Sequence, residues 1–211
     1  VAAFSGRHVE KRSPEDAARN VPSSAARVVM TNPAGASSCD LLRLRTEARE
    51  RRGDENAQFP ESEARFYAAQ IVVALRYLHA CAKLVHGDVK PENVLVHRGT
   101  GAVALCDFDL ARALTDEDDA LESGVEKKNE EKRRSGSDAV GVLGTPEYVA
   151  PELLRGAVDG ATSKTDWYQL GVLAFELVFG KTPFASPFGV VGVTLRAIEA
   201  NDLRFFDALF A

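Results

Sequence analysis

Cysteine is scarce: the 211 residues hold three, Cys39, Cys81 and Cys106, widely spaced and without a CxxC pair. An odd, scattered set of this kind argues against a disulfide framework and gives no zinc-ligand spacing, so a reducing compartment, cytosol or nucleus, is expected. Long hydrophobic runs are also missing. No stretch approaches the roughly 18 apolar residues that a spanning helix needs. The start at Val1 shows neither a basic leader nor an initiator Met, as a fragment would. Nor is there an excess of basic charge. Lys and Arg number 26 against 31 Asp and Glu, the formal net charge is −5, and the pI is about 5.5. Such a chain has no global field to draw in nucleic acid or an anionic membrane. What is present, 45% hydrophobic and 27% charged residues, suits one globular domain with a sizeable core.

Along the chain, residues 1 to 40 read as loosely organised: an apolar start at Val1 to Phe4, a polar run with Pro14 and Pro22, then Val28, Val29 and Met30. This is the pattern of a loop between two short strands. From Pro60 the spacing changes. Glu61 and Glu63 suit a first helical turn, and Tyr67, Ile71, Ala74 and Leu78 follow at helical intervals, which predicts one amphipathic helix ending near His79. Val94 to Val96 and Val103 to Leu105, separated by Gly99 and Gly101, predict a β-hairpin. Residues 116 to 134 contain eight acids and five bases, too polar to offset their ordering entropy, so a disordered insertion is expected over about 115 to 138. Trp167, Leu170, Leu173, Ala174, Leu177 and Val178 then predict a buried helix closed by Gly180.

Three stretches carry chemistry: HGDVKPENVL from His86, DFD from Asp107, and GTPEYVAPE from Gly144. In this order they resemble the catalytic loop, the metal-binding motif and the end of the activation segment of protein kinases. The resemblance implies an α+β protein-kinase-like fold, mainly helical in its C-terminal lobe (41–211), with a remnant of the N-terminal lobe sheet and the hinge in residues 1–40. It implies transfer of the γ-phosphate of ATP, with Mg²⁺, to Ser or Thr hydroxyls of proteins. Phosphoryl transfer asks a protein mainly to position groups and neutralise charge. On this resemblance Asp88 takes or orients the proton of the substrate hydroxyl, Lys90 sits near the transferring phosphoryl, and Asn93 and Asp107 hold Mg²⁺. Leu95 forms the apolar floor beneath adenine, Thr145 bridges towards Asp88 and Lys90, and Asp166 clamps the backbone of the catalytic loop. Met30 falls at the gatekeeper position and Asp40 at the ribose. Glu92 falls where related kinases hold a substrate Arg, which favours basophilic substrates.

Within the kinases, Ser163 to Phe184 and Phe59 to His79 are similar to the AGC group, and DFD in this setting resembles the plant and algal phototropin-like branch. The departures matter as much. No GxGxxG loop and no VAIK-like Lys occur in the sequence. Gly87 replaces the Arg of HRD, Gly141 stands where a phosphorylatable residue is usual, and Pro33 stands where a backbone N–H usually meets adenine. The APE glutamate, Glu152, lacks its usual Arg partner. These leave two readings open: a monomeric Ser/Thr kinase, present as a fragment inactive by itself, or a pseudokinase or kinase-like scaffold. Within the insertion, Arg134 precedes Ser137 by three residues, a pattern that a basophilic cleft accepts.

Overall fold

The computed structural model describes residues 38–53, 58–114, 145–156, 160–186 and 188–200. The expectations for Val1 to Phe4, Met30, Pro33, Gly141 and the insertion, Ser137 included, lie outside the described residues. In chain order the elements are β1 (Ser38–Asp40), α1 (Leu41–Arg52), α2 (Glu61–Ala80), β2 (Leu84–Val85), a 3-10 turn (Pro91–Asn93), β3 (Val94–His97) and β4 (Val103–Leu105). There follow β5 (Arg112–Ala113), a second 3-10 turn (Pro146–Tyr148), α3 (Pro151–Leu154), α4 (Ser163–Phe179) and α5 (Val191–Ala200). Helix dominates, and the sheets are small.

The long helix α2 buries Tyr67, Ile71, Ala74 and Leu78, the four positions its periodicity marks, against Leu170, Leu173 and Leu177 of α4. At about 25 cal/mol per Å² of apolar surface removed from water, contacts of this kind are the main favourable term holding the lobe together. The predicted hairpin is present as β3–β4, with Val94 opposite Leu105 and Val96 opposite Val103, and those four side chains enter the same core. Gln70 staples it to α2: its amide donates to the Gly101 carbonyl (3.0 Å) and its carbonyl accepts from Val103 N (3.2 Å). Strand β1 lies on the other side of β3, so the three-stranded sheet runs β1-β3-β4, and β2 pairs with β5 in a separate ribbon.

Helix α1 is not marked by apolar periodicity. Leu41 and Arg45 are its buried positions, and an arginine one turn after the leucine interrupts the hydrophobic stripe that would announce it. Its start is written in Asp40, whose carboxylate accepts from Arg43 N at 2.7 Å and caps the helix. The helix α4 also differs from a fully apolar cylinder. Leu170, Leu173 and Leu177 are buried, but Trp167 is 37% exposed, set edge-on over His79 with ring centroids 5.5 Å apart. The buried face of α4 instead includes Asp166, Gln169 and Glu176, at positions that share one side with Leu173. Thr162 and Thr165 form a capping box at its start, and Gly180 ends it with φ 78°, a left-handed conformation that costs glycine little.

Candidate functional site

The polar face of α4 positions the loop His86–Asn93. Asp166 is fully buried and accepts three hydrogen bonds: from His86 N (2.9 Å), from Gly87 N (2.7 Å) and from His79 Nε2 (2.7 Å). This is the backbone clamp expected of Asp166. One helical turn on, Gln169 accepts from Val89 N (2.8 Å) through its carbonyl and donates to the Gly87 carbonyl (3.0 Å) through its amide. Nothing in the sequence motifs points to Gln169 or His79. The available signal is the spacing of three between Asp166 and Gln169, which puts both on one helix face.

His86 locks the loop from within. It is fully buried, accepts from Asp88 N at Nδ1 (3.3 Å) and donates from Nε2 to the Cys106 carbonyl (3.0 Å), which requires the neutral Nε2–H tautomer. Burial, the largest influence, holds its pKa below the usual imidazole value. Its ring also packs on Phe108 at a centroid distance of 4.6 Å. Gly87 has φ 82°, and a Cβ there would lie 2.9 Å from the Leu110 carbonyl oxygen, so the loop passes too close to the segment after Asp107 for a side chain to fit without movement.

These supports leave the Asp88 carboxylate in a defined place. Oδ2 accepts from Lys90 Nζ (2.6 Å) and from Asn93 Nδ2 (2.9 Å), while Asn93 Nδ2 also reaches the Asp88 carbonyl (2.8 Å). Oδ1 is buried and takes no hydrogen bond among the described residues. Lys90 Nζ goes on to Thr145 Oγ1 at 2.9 Å, so Thr145 meets Asp88 through Lys90 and not directly. Asp88, Lys90, Asn93 and Thr145 thus form one cluster.

Asp107 is exposed, with φ 58°. The connection to Asn93 runs through the backbone, since Cys106 N donates to the Asn93 carbonyl at 2.9 Å. With its amide nitrogen committed to Asp88, Asn93 offers its side-chain oxygen, and Asp107 offers a carboxylate. Hard oxygen donors of this sort fit Mg²⁺. Among the described residues no group of three or more His, Cys, Asp and Glu gathers as a metal cluster.

Two residues expected on the nucleotide side are neighbours: Asp40 is directly opposite Leu95 in the β1–β3 register. Leu95 is half-buried, and one Asp40 oxygen is spent on the α1 cap. Glu92 is exposed in the 3-10 turn. Behind it a buried triad joins three elements: Arg45 Nη1 of α1 meets Glu176 Oε1 of α4 at 2.7 Å, and Tyr148 of the second 3-10 turn donates its hydroxyl to Glu176 Oε2. Burial first, and then the Glu176 charge, push the Tyr148 pKa far up, so its hydroxyl stays protonated. The Glu152 carboxylate accepts from Thr165 Oγ1 at 3.4 Å.

A family model described as the protein kinase domain matches residues 27–195. The chain belongs to that family. Relatives agree with the AGC and phototropin-like resemblance. Phototropin-1A of Oryza sativa subsp. japonica is 42% identical over 161 residues, covering 69% of this chain and 16% of that protein. Protein kinase PINOID of the same rice is 36% identical over 176 residues, covering 70% and 35%. Flippase kinase 1 of Saccharomyces cerevisiae is 39% identical over 127 residues, covering 59% and 14%. The chain therefore spans about one sixth of the length of phototropin-1A. ATP and Mg²⁺ use and protein substrates are general to the kinase family. Among the described residues no helix is long and apolar enough to cross a membrane.

Proposed function

We propose that the protein is a Ser/Thr protein kinase that moves the γ-phosphate of ATP to protein hydroxyls. The observation that carries this reading is the Asp88–Lys90–Asn93–Thr145 cluster, in which a buried carboxylate oxygen, Asp88 Oδ1, takes no hydrogen bond among the described residues. A substrate hydroxyl placed there would donate to Oδ1, which orients the nucleophile and takes its proton as phosphorus–oxygen bonding develops. Lys90, held at 2.6 Å from Asp88 Oδ2, puts a positive charge beside the path of the phosphoryl group. Asn93 and Asp107 would hold Mg²⁺, which neutralises charge on the phosphate oxygens when bound. Asp40 and Leu95 would face the ribose and adenine, with Met30 as gatekeeper.

The sequence carries no Gly-rich loop and no strand Lys, so residues 1–211 alone should give no turnover, because metal ligands cannot by themselves hold the triphosphate in line. The exposed Glu92 favours substrates with a basic residue near the acceptor, and Ser137 after Arg134 is a candidate for self-phosphorylation. We place the protein as a monomer in the cytosol or nucleus, in keeping with cysteines that form no disulfide among the described residues. A scaffold without catalysis is the second reading, favoured by Gly87 at the Arg position of HRD. Transfer of labelled γ-phosphate by the full gene product separates the two. The kinase reading expects transfer that is lost on Asp107→Ala, and a full gene product silent towards basic peptides and towards itself supports the scaffold.

A further inference from the structure

We infer that Gln169 is the positioning residue for Asp88, holding the two peptide groups on either side of it to helix α4. Its carbonyl accepts from Val89 N at 2.8 Å and its amide donates to the Gly87 carbonyl at 3.0 Å, so one carboxamide bridges the residue before Asp88 and the residue after it. Gln169 is 1% exposed and sits in a helix, a rigid base for such a bridge. The side chain of Asp88 contacts Lys90 and Asn93, which belong to the same loop and move with it. Asp166 fixes the loop at His86 and Gly87, before Asp88 is reached. His86 Nδ1 takes Asp88 N and Asn93 Nδ2 reaches the Asp88 carbonyl, but both lie within the loop, and among the described side chains Gln169 bonds the peptides on both sides of Asp88.

The need for it follows from Gly87. Glycine has the widest conformational freedom of any residue, and this one must keep φ 82° within 2.9 Å (from its would-be Cβ) of the Leu110 carbonyl. A freely pivoting peptide just before a reacting carboxylate would spread Oδ1 over several positions, and misplacement of about 1 Å costs on the order of 10²-fold in rate. Within the loop His86 Nδ1 restrains that peptide through Asp88 N at 3.3 Å, and the Gln169 bridge ties it to the helix without any charged or modified group.

The inference rests on the kinase reading for its catalytic consequence, but the bridge can be tested separately. In the full gene product, Gln169→Met keeps the volume and deletes both bonds. It should lower kcat about 10²-fold while KM for ATP stays within about twofold, because the nucleotide-side residues Asp40 and Leu95 are untouched. Gln169→Glu is the discriminating variant. As an ionised carboxylate it still accepts from Val89 N but repels the Gly87 carbonyl, whereas its protonated form offers the same donor and acceptor as Gln. Its kcat should therefore climb towards wild type as pH falls, a limb that the unsubstituted protein lacks. Wild-type kcat in Gln169→Met, or a pH profile for Gln169→Glu parallel to that of the parent, overturns the inference while leaving the kinase reading intact. A silent parent condemns the kinase reading alone, and amide exchange on the 211-residue chain then decides the bridge. There Gln169→Met should release the Val89 amide and spare the Gly87 amide, which Asp166 holds, and equal protection of Val89 in both proteins overturns it.

Discussion

Asp166→Asn is the sharpest perturbation of the fold around the loop, because it changes charge and one donor–acceptor sense while keeping volume. Three donors converge on the native carboxylate: Gly87 N on Oδ1, and His86 N and His79 Nε2 on Oδ2. An asparagine can turn its oxygen to the Oδ2 side and keep two of them, but its NH₂ then faces Gly87 N–H, donor against donor in a buried site. The lost charge-assisted bond costs about 1.5–3 kcal/mol, and the two that survive drop from charge-assisted to neutral, costing about 1 kcal/mol more. The expected total is about 2.5–4 kcal/mol, a large part of the 5–15 kcal/mol that typically holds a domain. Guanidinium denaturation of the 211-residue chain, comparing midpoints at equal slope, measures it. A loss below about 1 kcal/mol would mean that Asp166 is not the ionised acceptor of all three bonds, and the clamp account would fall.

Arg45→Ala should destabilise the chain by about 3–5 kcal/mol, since Glu176 is left buried without its counter-charge and with the Tyr148 hydroxyl still donating to it, and the triple change Arg45→Met, Glu176→Leu, Tyr148→Phe should recover most of that in the same denaturation assay. Acid should weaken the fold through His86. Its folded pKa lies below the unfolded value of about 6.5, so the unfolded chain binds the proton first and this stability, complete above that pH, is lost as pH falls. The slope from this group is at most about 1.4 kcal/mol per pH unit, and His86→Phe should flatten the wild-type curve between pH 6.5 and 5, whereas an unchanged curve contradicts the buried neutral tautomer. In active protein, Glu92→Arg should suppress phosphorylation of Ser137 and of basic peptides while ATP affinity holds, read by phosphopeptide mapping. An equal Ser137 mark in both proteins removes the substrate role given to Glu92.

The helices α2 and α4, the β3–β4 hairpin and the motif residues were legible because each is announced locally, by apolar spacing or by a fixed run of residue types. Tyr67, Ile71, Ala74 and Leu78 are buried as their spacing requires. The less legible parts depend on pairings distant in sequence. Arg45 reads as a surface residue until Glu176, 131 positions away, accounts for its burial. Helix α1 stays hidden for the same reason. Gln169 and His79 belong to no motif, and their roles exist only once α2, α4 and the loop are packed together. Trp167 shows the opposite error, a large apolar residue expected in the core that instead rides half-exposed over His79.

The central claim is that Asp88 is the group that meets the substrate hydroxyl. It is tested most directly by single-turnover phosphoryl transfer in the full gene product with Asp88→Asn, alongside Mg²⁺-ATP binding to the same protein. The amide loses the ability to take a proton at Oδ1 while keeping the shape of the site. Transfer should fall by about 10²–10⁴-fold with nucleotide binding nearly unchanged. Transfer in Asp88→Asn equal to that of the parent would contradict the account.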